Sequence, residues 1–124
     1  MITNDTIWSE LQTPIDVTGE LTTVTLQDGI SLYQVNPGAL DTELTFSTNA
    51  IQPAMTAGGY NVITFELIVH MTTVQTIDFP ENITWLDNIP PTMNAANKDY
   101  LILFRSYDGG ETWIGAPEGS WNNA

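Results

Sequence analysis

The chain has no cysteine, only two basic residues and a single histidine among its 124 residues. Without cysteine there is no disulfide and no thiolate metal site, and the sequence carries no mark of its redox compartment. One histidine, His70, cannot by itself supply the several ligands of a zinc site. Long apolar runs are missing too. The most apolar stretch, Leu101-Ile102-Leu103-Phe104, falls far below the roughly 20 residues of a membrane-spanning helix. The opening residues, MITNDTIWSELQ, have neither the basic start nor the apolar centre of a signal peptide.

What is abundant is negative charge. Fifteen acids face Lys98 and Arg105, for a formal net charge of −13. Such a surface repels phosphate backbones and anionic lipid headgroups, so neither nucleic acid nor membrane is expected as a partner. The acids are scattered singly, which suits a solubilising surface better than a docking patch for a basic partner.

A hydrophobic content of 42% in 124 residues supports one domain with its own core. Residues 1–20 read as an N-terminal arm. Ile7, Trp8 and Leu11 could share one helical turn before Pro14 interrupts it. From residue 21 the pattern is β. Thr22, Val24 and Leu26 alternate with Thr23 and Thr25, and Asp28-Gly29 marks a turn. Residues 30–35, 42–47, 74–79 and 83–85 give further strands. In residues 61–69, Ile63, Phe65, Leu67 and Val69 share one face while Thr64, Glu66 and His70 share the other, with Ile68 the exception. Residues 97–115 form a hairpin around Asp108-Gly109-Gly110, whose residues accept positive φ. The tail, residues 116–124, is rich in Gly, Pro and Asn and reads as irregular. Roughly seven or eight short strands between turn residues predict an all-β fold, an antiparallel β-sandwich or jelly-roll-like domain over residues 21–124.

No catalytic constellation stands out. His70 lies on the polar strand face, and no Gly-x-Ser-x-Gly elbow accompanies it. The carboxylate pairs Asp78/Glu81 and Asp108/Glu111 sit at strand ends or turns, where Asp commonly organises the backbone. No Asp-x-Asp-x-Asp-Gly loop is present to hold calcium. No enzyme activity, metal or cofactor is expected. Trp85 and Trp113 lie in strand patterns and read as packing residues. Trp8 and Trp121, in the arm and the tail, either dock back or insert into a neighbour.

Residues 74–115 resemble a β-rich domain of tailed-bacteriophage virion proteins, often found near the C-terminus of tail fibres and related appendages. The likeness rests on the segment TIDFPENITW (76–85), on Pro91-Thr92-Met93, and on Asp99, Leu101, Phe104, Asp108, Gly109, Gly110, Thr112, Trp113 and Gly115. Phe79 stands where that family has a tryptophan, Ile114 where it has an aromatic, and Asp87-Asn88 where it has a Gly-Gly pair. The resemblance implies a non-enzymatic virion protein, assembled in the host cytoplasm, self-associating as a homotrimer and contacting capsid or tail proteins. A chain barely longer than the domain implies a free-standing decoration, cement or tail-accessory protein, attached through Ile7, Trp8, Leu11 and Trp121. The alternative is a tail-tip module that recognises a host surface glycan, with Trp85, Trp121 and loop carboxylates as candidate contacts.

Overall fold

The computed structural model describes residues 15–16, 21–50 and 62–124. The arm residues Ile7, Trp8 and Leu11 lie outside them. The elements are β1 (Ile15–Asp16), β2 (Leu21–Gln27), β3 (Leu32–Asn36), β4 (Thr42–Ala50), β5 (Ile63–Met71), β6 (Ile77–Asp78), β7 (Ile83–Trp85), a 3₁₀ turn (Leu86–Asn88), β8 (Lys98–Ser106) and β9 (Trp113–Asn122). They form a six-stranded sheet, β1-β3-β5-β8-β9-β7, packed on a three-stranded sheet, β2-β4-β6. The all-β sandwich read from the sequence is the observed architecture.

Strand direction differs from expectation. From β1 to β7 the chain changes sheet at every connection, so β1, β3 and β5 run parallel, as do β2, β4 and β6. β7 also lies parallel to β9, and only β5–β8 and β8–β9 are antiparallel. Turns such as Asp28-Gly29 therefore reverse the chain between sheets instead of closing a hairpin within one. Alternation along a strand says which face is buried, not which sheet the strand joins.

The core is the inward row of each strand. Val24, Leu26 and Leu44 come from the smaller sheet; Tyr33, Val35, Phe65, Leu67, Val69, Met71, Ile102, Phe104 and Trp113 come from the larger. Phe46 of β4 bridges the sheets. Its ring meets Phe65, Phe104 and Trp113 edge-on at centroid distances of 5.1, 5.0 and 5.7 Å. Such aromatic pairs add about 0.5–1.5 kcal/mol each beyond their burial. Trp85 and Trp113 both face this core, Trp113 almost fully buried and Trp85 against Phe79 and Phe104.

Two phenols fasten the connections. Tyr33 Oη accepts from the Gln27 amide at 2.8 Å and donates to the Ile30 carbonyl at 2.9 Å, clamping the β2–β3 turn. Burial pushes the Tyr33 phenol above its ordinary pKa. Tyr100 Oη accepts from the Ala95 amide at 3.0 Å and so fixes the loop before β8.

The tail is a correction to the sequence reading. Residues 113–122 continue as β9, pairing with β8 from Arg105↔Ile114 to Lys98↔Asn122. The low strand propensity of Gly, Pro and Asn is overridden by the long β8 edge alongside. One extra residue, Glu118, is accommodated by a bulge next to Gly119, whose φ of +151° needs glycine.

Candidate functional site

The hairpin turn is held by its own side chains. Asp108 Oδ2 accepts from the Thr112 hydroxyl at 2.6 Å and Oδ1 from the Thr112 amide at 2.9 Å. The Ser106 hydroxyl donates to Asp108 at 2.8 Å and accepts from the Gly110 amide at 2.8 Å. These bonds, led by the Thr112 hydroxyl, hold the Asp108 carboxyl at about 2, below the ordinary carboxylate range. Asp108 is a fastening for the β8–β9 hairpin, and Glu111 does not join it as a second catalytic carboxylate.

The more informative place is the outer face of the six-stranded sheet. In antiparallel pairs, residues directly opposite one another share a face. His70 stands opposite Asp99, and Asp99 stands opposite Trp121, giving one row across β5, β8 and β9. The next row outward on this face is Ile68, Leu101 and Gly119, and the next Glu66, Leu103 and Ala116. Ile68, Leu101 and Leu103 are half-buried, and Ile114 and Trp121 are 39% and 44% exposed. With no side chain on Gly119, one flank of Leu101 stays open.

At the polar end of this face, His70 Nδ1 and Asp99 Oδ1 lie 2.6 Å apart. Asn123 Nδ2 donates to Asp99 Oδ1 at 2.8 Å and to the Met71 carbonyl at 3.1 Å. The short contact makes Nδ1 the protonated nitrogen donating to Asp99, so the 3.3 Å approach of Asn123 Nδ2 to Nδ1 joins two donors and is no bond. The network ties the end of β9 to β5 and leaves Nε2 of His70 without a hydrogen bond among the described residues.

A histidine–aspartate pair that activates a serine needs that hydroxyl within hydrogen-bond reach of the imidazole. Ser106 is committed to the hairpin turn, and Ser120 stands opposite inward-facing Tyr100, on the other side of β9 from Trp121. None of the serines among the described residues bonds to the imidazole. Nor do three or more His, Asp or Glu side chains there gather to hold a metal ion.

Of the attachment and glycan-contact residues singled out from sequence, Trp121 lies on this face, beside His70, which was weighed there as a catalytic group. Trp85 is partly buried and packs against Phe79 and Phe104 instead of joining this face. Leu101, Leu103, Asp99 and Asn123 were not picked out as contact residues, although a signal was present. An unbroken run at 101–104 must place apolar side chains on both faces of its strand, and Ile68 already broke the polar face of β5. No helix among the described residues is long and apolar enough to cross a membrane. No protein-family model, curated protein or solved structure matches the chain.

Proposed function

We propose that this chain is a non-enzymatic structural protein of a tailed-phage particle, a decoration or tail-accessory module that docks through the outer face of its six-stranded sheet. The observation that carries the docking surface is the apolar character of that face. Ile68, Leu101, Leu103, Ile114 and Trp121 stand where a sheet facing only water would alternate to polar residues. The phage assignment leans on the resemblance of residues 74–115. The test is co-sedimentation of the purified chain with particles that lack it. Wild type pellets with the particles and Leu101→Glu stays in solution. Equal pelleting of both would refute this docking surface.

A second reading, a module that binds host surface glycan, is favoured by one detail. The exposed Trp121 stands in the row of Asp99, the carboxylate to which His70 and Asn123 are bonded, an apolar plate in one row with polar groups of the kind that sugars use. Binding of the purified chain to host cells, competed by free glycan and lost in Trp121→Ala, would favour this reading. Absence of cell binding under conditions where the phage adsorbs would dismiss it.

A further inference from the structure

The two sheets have four free edges among the described residues: β1 and β7 on the larger, β2 and β6 on the smaller. Three are blunted by brevity, β1 and β6 with two residues and β7 with three. Short strands are one way that proteins prevent edge-to-edge association; charges and prolines are others. β2 uses none of these. It is seven residues long, LTTVTLQ, with no charge and no proline, in a chain of net charge −13. A bulge does occur between β2 and β4, where Thr25↔Ser47 is followed by Gln27↔Ala50. The extra residue is on β4, so β2 itself stays regular.

We propose that β2 is the seam between two copies of this chain, paired antiparallel about a two-fold axis. Length and charge select this occupant. Among the described residues, the only free edge that matches β2 over its full length is another β2. β2 itself carries no charge, so pairing two copies along it sets no acid against an acid within the strand, while Asp28 just beyond its end adds like-charge repulsion that salt screens. An isologous contact also satisfies both edges and closes the assembly at two. A register centred on Val24 sets Thr23 opposite the partner's Thr25 and Leu21 opposite the partner's Gln27. The inward residues Thr22, Val24 and Leu26 then continue the core across the seam. The three-stranded sheet becomes six-stranded. This contact is separate from the docking face proposed above, and its two-fold symmetry differs from the trimer that the phage resemblance implies.

Sedimentation of the full chain over a range of concentrations tests the seam. The expected result is a reversible dimer that tightens as salt is raised, because salt screens like-charge repulsion between the copies. Thr23→Glu with Thr25→Glu sets carboxylates opposite each other and weakens dimerisation by about tenfold or more while circular dichroism stays that of a folded β protein. A gain-of-signal variant guards against misfolding. In a chain without cysteine, Thr23→Cys plus Thr25→Cys forms a disulfide-linked dimer on oxidation, and Thr23→Cys alone does not. A monomer at all concentrations, a trimer alone, dimerisation unaffected by the glutamates, or cross-linking equal in the single and double variants would overturn the proposal.

Discussion

Trp85 lies flat against Gly115 on the neighbouring strand, so close that a Cβ on the glycine would come 2.5 Å from the indole. The same Cβ would be 3.1 Å from the Phe104 ring. Gly115→Ala must therefore push Trp85 out of its place between Phe79 and Phe104. Such overpacking costs about 1–3 kcal/mol. Thermal denaturation with tryptophan fluorescence should show a lower Tm and a red-shifted emission, and an unchanged Tm would contradict the packing described.

Asp87 and Asn88 follow Trp85 with φ values of 57° and 58°. Both stand in the left-handed region that glycine adopts without strain. The left-handed region costs an L-residue about 1–2 kcal/mol, least for Asn and Asp. Asn88→Gly should be neutral or mildly stabilising, whereas Asn88→Val should destabilise by about 1–2 kcal/mol in urea denaturation.

Tyr33→Phe removes the hydroxyl that serves both the Gln27 amide and the Ile30 carbonyl. It leaves partly buried groups without their partner at a cost of about 1–3 kcal/mol. Amide exchange at Gln27 should accelerate together with the fall in stability; unchanged exchange would show that the clamp is dispensable.

The Asp108 carboxyl has its pKa lowered in the folded chain, to about 2 from 3.8. A lowered carboxylate pKa means that the ionised form is the one favoured by folding. Its contribution is therefore complete above the unfolded value and is lost as pH falls from there through about 2. NMR titration should find Asp108 still ionised at pH 3, below the ordinary value of 3.8. Asp108→Asn should speed amide exchange at Thr112 at neutral pH and should flatten the acid sensitivity of the hairpin.

Local signals in this chain were legible, and long-range assembly was not. Asp108-Gly109-Gly110 named its hairpin, and the alternation of Ile63, Phe65, Leu67 and Val69 named the buried face of β5. The burial of Trp113 followed from its strand pattern. The changes of sheet between β1 and β7 left no trace in the pattern, because a buried face looks the same in either sheet. The start of β9 was part of the expected hairpin, but its continuation over residues 116–122 was hidden by Pro117 and Gly119, where the strand comes from pairing with β8 and not from propensity. On the outer face, Ile68 and the run at 101–104 carried the signal. The row His70, Asp99 and Trp121 could be assembled only once the register was known.

The docking face is the central claim, and hydroxyl-radical footprinting of the free chain and of purified phage particles tests it most directly. The account predicts that the chain is present in the particles. Trp121, Leu101 and Leu103 should be oxidised in the free chain and protected on the particle, while Leu86, exposed in the 3₁₀ turn, stays equally reactive in both. Absence of the chain from the particles, or equal oxidation of Trp121 in the two states, would contradict it.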